Sequence, residues 1–542
     1  MGMEPRRIQI YDTTLRDGAQ TAGIHFSAED KKKIAHQLAA FGVDWIEGGW
    51  PGASPTDQQF FELMRERQWE HSQLVAFGST ARLGHPIDED EGLTRLLEAG
   101  ADAICIFGKS WDLHVSKGLG IDLQSNLNLI HDSIVRLKAH VQTVMFDAEH
   151  FFDGYLAHPE YAMQVLDAAL TGGADALVLC DTNGGSLPHQ VTEVFEKVVA
   201  AYPHVTIGIH AHNDSELAVA NSVAAIRAGA TQVQGTMNGI GERCGNANLV
   251  SIIPILSMKM GLDCGISEVQ LRDLKHLSAF VNEMANRLPW KHQPFVGHNA
   301  FAHKAGIHVS AIRKDNRLYE HIDPAAVGNL QRVLVSNQAG RSNIVAKLQQ
   351  LEPDANIHPD DPVVKDAVRN IKAMEASGYA FEGADASFQL LLYRAMGRFK
   401  RHFELVSFRV FDEKRGHLQA PEAEATVQVR VNGKLRHRAA LGNGPVNAMD
   451  RALRLALLGA YPTLKQMRLT DFKVRVLSTK EATEAAVRVL VESTDGVRKW
   501  STVGVSHDML EATYRALNDA IEYKLVMDQV PSDTPHATKE TA

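Results

Sequence analysis

At 542 residues the chain exceeds what one ordinary hydrophobic core supports, so two or three domains are expected. A hydrophobic fraction of 44% with 22% charged residues reads as soluble and globular, and a net charge of -9 offers no basic field for nucleic acid. The same balance is silent on small anionic substrates.

Cys105, Cys180, Cys244 and Cys264 are scattered without a paired spacing, which predicts free thiols, a reducing compartment and no disulfide framework. The first residues lead straight into a strand-like run. No signal-peptide core and no bilayer-length apolar stretch is visible, so no membrane association is expected and the expected location is the cytoplasm.

In chain order, short apolar runs at residues 8–12, 45–49, 74–77, 103–107, 141–146, 176–180, 205–209 and 232–236 predict strands. Amphipathic stretches such as residues 28–41 lie between them, several closed by glycine (Gly42, Gly100, Gly229). Eight strands alternating with helices over about 250 residues predict a (β/α)8 TIM barrel. A doubly wound sheet would carry a glycine-rich turn after its first strand; here that turn is the charged DTTLRDG at 12–18. Residues 1–275 are therefore assigned to the barrel. Residues 276–395 read as mostly helical linker subdomains with proline breaks. Residues 396–527 read as an α+β module with strands near 403–411, 424–431, 472–476 and 485–493 and helices opening near 445 and 507. Residues 528–542 read as a disordered tail. No internal repeat beyond the βα alternation is visible.

Polar residues following each barrel strand face the C-terminal rim, where such barrels place their chemistry. They are Arg16 and Asp17, Glu47, Lys109 and His114, Asp147 and Glu149, Asp181 to Asn183, His210 to Asp214, and Asn238 to Asn246. His210 and His212 follow an apolar run two residues apart, so both imidazoles point to one face. Closure of the barrel makes strands one, seven and eight neighbours, so Asp17, His210, His212 and Asn246 converge on one point. Two imidazoles, a carboxylate and an amide oxygen suit Mg, Mn, Zn or Co without choosing among them. Arg16 is set to stabilise a developing oxyanion, or to pair with Glu47 within the rim. Glu149 and Asp147 are candidates for proton transfer or solvated loop acids, and Thr182 for a substrate-carboxylate contact or a helix cap. The GIGERCGN segment at 239–246 reads as a tight turn presenting Asn246.

DTTLRDGAQ at 12–20, HAHND at 210–214 and GIGERCGN at 239–246 resemble the signatures of the acyl-transferring branch of the DRE-TIM metallolyase superfamily. NAFAHKAGIH at 299–308 resembles the segment after the barrel in 2-isopropylmalate synthases, and GNGPVNA at 442–448 their C-terminal regulatory domain. EGGWPG at 47–52 and FGKSWDLH at 107–114 look most like the (R)-citramalate synthase branch. That resemblance implies an acyltransferase condensing acetyl-CoA with pyruvate at a divalent metal, in isoleucine biosynthesis. It implies Asp17, His210, His212 and Asn246 as metal ligands, and Arg16, Glu149, His308 and Tyr319 as catalytic residues. Arg16, Thr182 and His114 would hold substrate. His308 and Tyr319 would reach the site from the partner subunit of a homodimer, and which residue is the base is left open. An isoleucine effector would bind residues 396–527. The alternatives are 2-isopropylmalate synthase acting on 2-oxoisovalerate, homocitrate synthase, a carbon–carbon lyase on the same barrel, and a non-catalytic regulator.

Overall fold

The computed structural model describes residues 6–84, 86–303, 308, 311–312, 314–333, 344–345, 348–349, 357–414, 421–477 and 485–530. It divides into two compact units, Met1–Phe301 with Glu320–Gln331 and Ala302–Tyr319 with Arg332–Ala542.

The first unit is built on β1 (Gln9–Asp12), β2 (Trp45–Gly49), β3 (Gln73–Ser79), β4 (Ala103–Lys109), β5 (Thr143–Glu149), β6 (Ala176–Asp181), β7 (Thr206–Ala211) and β8 (Gln232–Gly235). Every neighbour pairs in parallel, and β1 pairs with β8 through Asp12 opposite Gly235, so the sheet closes into a barrel. All eight predicted strands are present. Their alternation separates two layers. Ile10, Leu74, Ile104, Val144, Leu177, Ile209 and Val233 face the surrounding helices, while Tyr11, Val75, Cys105, Met145 and Ala176 fill the interior. Helix Ala28–Phe41 shows how the shell is punctuated. Ser27 and Asp30 form a reciprocal capping box, and Gly42 ends the helix at φ 96°, a left-handed conformation.

The barrel unit does not stop at residue 275. Helix Leu274–Met284 packs Leu277 and Val281 into the barrel core, as do Phe295, Val296 and Phe301 further on. A linker boundary at 276 therefore cuts through that helix. Within residues 276–395 the described structure is helical in part. It holds short 3-10 turns and a two-residue parallel pairing of β9 (Ala302–His303) with β10 (Arg332–Val333), besides helices Pro362–Ala376 and Asp385–Ala395.

The second unit carries β11 (Glu404–Glu413), β12 (Glu422–Val431) and β13 (Lys434–Gly442), followed by helix Pro445–Leu457. It also carries β14 (Arg468–Val476), β15 (Val487–Thr494) and β16 (Lys499–Ser506), followed by helix Met509–Met527. Each half is an antiparallel three-strand meander leading into a helix, an internal repeat that the sequence did not disclose. Both halves use one packing device. A Cβ on Gly442 would strike the Ala448 backbone, and one on Gly504 the Ala512 carbonyl, so each last strand needs glycine to let its helix approach. Ser387 of helix Asp385–Ala395 receives Val503 N–H at 3.0 Å and donates to Asp519 at 2.8 Å, joining that helix to the second meander. The tail assigned to residues 528–542 falls, from 531 on, outside the described residues.

A buried histidine fastens the end of this unit. His402 places Nδ1 2.7 Å from Glu522 Oε2 and Nε2 3.0 Å from the Val530 carbonyl. Both partners only accept, so both ring nitrogens carry protons and the ring is an imidazolium. Burial would lower its pKa, but the Glu522 hydrogen bond and charge outweigh burial and raise it. A raised folded value contributes stability that is complete below the ordinary imidazole value and lost as pH climbs through the raised one. The melting temperature of this unit should fall as pH rises from the ordinary imidazole range through the raised value, and the His402→Gln chain should lack that slope.

Among the described residues no helix is long and apolar enough to cross a membrane.

Candidate active site

The turn after β1 is wound tightly by its own polar side chains. Asp12 accepts from Thr14 N–H at 2.9 Å and from the Thr14 hydroxyl at 2.8 Å, and Gly18 N–H returns to the Thr13 carbonyl at 3.0 Å. This aims Arg16 and Asp17 over the barrel mouth. Across it, His210 and His212 occupy successive inward positions at and just past the end of β7. The loop 239–246 is zipped against the same strand end: His212 and Asn246 form a β-bridge, and Asn213 N–H donates to the Gly245 carbonyl at 2.8 Å. Glycine is required twice there, since a Cβ on Gly245 would meet the Gly239 carbonyl at 2.0 Å and one on Gly241 would meet Asn246 Oδ1 at 1.7 Å.

The result is a compact cluster. Asp17 Oδ2 lies 3.1 Å from His210 Nε2 and 3.8 Å from His212 Nε2, with the two Nε2 atoms 3.4 Å apart. Asn246 Nδ2 is 3.0 Å from the same carboxylate oxygen, while its buried Oδ1 has no hydrogen-bond partner. Asp17, His210 and His212 form the group of the described residues able to hold a metal ion. Burial alone would raise the Asp17 carboxyl, but the Arg16 guanidinium and His210 hold it well below the usual carboxylate range. Burial would lower His210; the hydrogen bond and charge of Asp17 hold it above its ordinary value. His212, desolvated and beside His210, falls to about 4. Two imidazole nitrogens and an anionic oxygen around one point, with the Asn246 amide beside them, are a donor set for a divalent cation.

Arg16 is locked from three sides. Its Nε donates to Glu47 Oε1 at 2.5 Å, its Nη1 lies 3.2 Å from Asp17 Oδ2, and its guanidinium stacks 3.8 Å above the Phe77 ring. Glu47 is fully buried and also accepts from the Tyr11 hydroxyl at 2.6 Å and the Thr13 hydroxyl at 2.5 Å. Burial would push the guanidinium down, yet Glu47 and Asp17 hold it above its ordinary value, so Arg16 is a permanent cation.

A cavity of about 210 Å³ opens above this cluster, lined among others by Arg16, Asp17, Trp50, Phe77, Phe107, Asp147, Glu149, Thr182, His210 and His212. Glu149 is ion-paired with Lys109. The Thr182 hydroxyl oxygen accepts from His150 N–H at 2.9 Å, which leaves its own proton free to donate; it is not a helix cap. Trp50 stands edge-on to Phe77 and Phe107, whose rings stack on each other, giving one wall of the cavity an aromatic face. The backbone at Trp50 is held by Asp57, which accepts Trp50 N–H at 2.8 Å and pairs with the buried Lys31.

Arg16, Asp17, Glu149, Thr182, His210, His212 and Asn246 are therefore brought together. His114 is not among the lining residues: it stacks on Trp111 and packs against His150 at 4.2 Å between centroids. His308 and Tyr319 belong to the second unit, with rings 4.2 Å apart. Sequence reasoning missed the aromatic wall as a unit and missed Gln234, which is buried inside the barrel and hydrogen-bonded to His210. The signal for Gln234 was present, since Gln232 and Gln234 alternate with Val233 on a strand buried on both faces.

Comparison with known proteins matches residues 7–281 to the HMGL-like family, residues 295–378 to the homocitrate synthase post-HMGL domain-like family and residues 382–525 to the LeuA allosteric (dimerisation) domain. The chain is 52% identical to the (R)-citramalate synthase of Geobacter sulfurreducens, over 96% of this chain and 97% of that one. The chain belongs to the (R)-citramalate synthase family. A second member, from Aquifex aeolicus, is 51% identical over 96% and 98% of the two chains. A probable 2-isopropylmalate synthase from Methanopyrus kandleri is more distant, at 31% over 94% and 97%.

Proposed function

We propose that this chain condenses acetyl-CoA with pyruvate and hydrolyses the thioester, yielding (R)-citramalate and free CoA. The observation that carries the reading is the juxtaposition of the Asp17–His210–His212 cluster and the Arg16 cation beneath a small cavity with an aromatic wall. Asp17, His210, His212 and the Asn246 amide oxygen would hold a divalent cation. When bound, it supplies a Lewis acid for the keto and carboxylate oxygens of a 2-oxo acid.

The chain's own residues do the rest. Arg16, fixed by Glu47 and Phe77 before substrate arrives, meets the oxygen on which negative charge develops as the acetyl carbon adds to the ketone. Thr182 donates its free hydroxyl proton to the substrate carboxylate. Glu149, with Lys109 paired to it, acts on a proton at the reacting centre, and the base that forms the acetyl-CoA enolate is His308, Tyr319 or Glu149. The close contact of the His308 and Tyr319 rings supports their acting together, and the dimerisation domain supports their delivery by the partner subunit of a homodimer. Isoleucine is the proposed effector at the second unit's repeated meanders, because citramalate leads to that amino acid. Four free cysteines, Cys244 exposed among them, support a cytoplasmic location.

The deciding experiment is a panel of pyruvate, 2-oxoisovalerate and 2-oxoglutarate with acetyl-CoA, read as release of free CoA, with and without isoleucine and leucine. Pyruvate is expected to have the highest kcat/KM; a clear preference for 2-oxoisovalerate would sink the reading. The aromatic wall makes a further claim. Replacing Trp50 by alanine should raise kcat/KM for 2-oxobutanoate relative to pyruvate by about 10-fold, the worth of admitting a methylene into an apolar pocket. An unchanged ratio would remove Trp50 from specificity.

A further inference from the structure

Gln234 has no part in the chemistry above, yet it is fully buried inside the barrel at the end of β8. Its Oε1 lies 2.8 Å from His210 Nδ1, and its Nε2 donates to Asp147 Oδ1 at 3.1 Å. Cys105 Sγ lies 3.2 Å from that same carboxylate oxygen.

The direction of this chain of contacts is forced from its far end. Gln234 turns its amide nitrogen to the Asp147 carboxyl, which burial raises only to about 6 and which therefore accepts at neutral pH, and its amide oxygen to His210. That oxygen requires a proton on Nδ1. In the neutral ring the lone pair then sits on Nε2, the nitrogen that looks toward Asp17, His212 and Asn246. The reverse amide orientation would oppose two oxygens at Asp147 and put the His210 proton on Nε2, blocking it as a ligand. We propose that Gln234 is a positioning residue of the metal centre, an amide relay through which Asp147 fixes the Nδ1–H tautomer of His210. The inference rests on the metal-centre reading of the site. An amide serves here where a carboxylate would not. The barrel interior already holds Asp17, Glu47 and Asp147 around one guanidinium, and an uncharged relay hands on orientation without adding a fourth negative charge.

The test is Mn2+ affinity of the full-length chain, measured by competition with a chelator and paired with a melting curve in excess chelator. Gln234→Met keeps the side chain's length and removes both polar ends. It should weaken Mn2+ binding by about 10–100-fold, the usual consequence of losing the group that orients a histidine ligand, with the chelator-bound melting temperature nearly unchanged. The paired exchange Gln234→Glu with Asp147→Asn puts an acceptor on Nδ1–H and a donor behind it, and should recover most of the lost affinity. Parental Mn2+ affinity in Gln234→Met overturns the proposal. So does a paired chain that melts like the parent but binds no better than Gln234→Met. Should Gln234→Met fail to fold, the paired chain decides alone: near-parental affinity supports the relay and weak binding overturns it. Failure of the unsubstituted chain to bind Mn2+ removes the metal reading itself, and this inference with it; a missing contrast between variants removes only the relay.

Discussion

Replacing Asp17 by asparagine is expected to abolish metal retention and to lower kcat for CoA release by about 10³-fold or more. The substitution preserves shape and changes one property. Asp17 Oδ2 is the atom on which the cluster converges, within 3.8 Å of both imidazole Nε2 atoms and 3.2 Å from Arg16. An amide there either turns its N–H groups toward the other donors or offers a neutral oxygen in place of an anion. A Lewis acid at a carbonyl contributes several kcal/mol to the transition state, and about 4 kcal/mol corresponds to about 10³ in rate. Metal content after dialysis and thiol release from acetyl-CoA with pyruvate check both halves. Activity within tenfold of the parent would overturn the metal-site model, because no other carboxylate joins His210 and His212 in the metal-binding group found among the described residues.

What could be read in advance followed periodicity and chain order. Strand spacing gave the closed barrel, and the inward alternation of a closed barrel made His210 and His212 neighbours of Asp17 without any contact being known. Three things were missed for identifiable reasons. Gln234 sits on a strand whose two faces are both buried, so polarity there reads as an interruption of an apolar run rather than as an inward-facing site residue. β13 and β16 were missed because the first, KLRHRAALG, is an exposed strand crowded with charge, and the second, KWSTVGVS, carries serine and threonine where alternation would be sought. Without them the two meander-helix halves could not be recognised as a repeat. His114 was drawn in by its position after β4, but the chain turns there into a π-helix beginning at His114, which stacks the ring on Trp111.

The buried Arg16–Glu47 pair separates catalysis from stability, two effects that a single substitution confounds. Changing Arg16 to methionine is expected to lower kcat by about 10²–10³-fold, the loss recorded when one oxyanion donor is removed. It should also destabilise the barrel by about 3–5 kcal/mol, because Glu47 is left charged and fully buried without its partner. Only the two hydroxyls of Tyr11 and Thr13 would remain on that carboxylate. Removing the stranded charge as well, in the chain carrying Arg16→Met and Glu47→Gln, should restore most of the melting temperature, since the amide oxygen still accepts from one of those hydroxyls and the amide nitrogen can donate to the other. It should restore none of the activity, because the cation over Phe77 is still absent. Glu47→Gln alone gives the complementary result. The guanidinium stays, held by Asp17 and the Phe77 ring, but loses the contact that fixes its aim. Its cost should then appear in kcat rather than in pyruvate KM, as expected when pre-organisation for the transition state is weakened while ground-state binding persists. Urea unfolding of the three chains beside their kcat and KM values reads both quantities. If stability and activity recover together in the doubly substituted chain, Arg16 is a structural cation and the oxyanion role assigned to it is wrong.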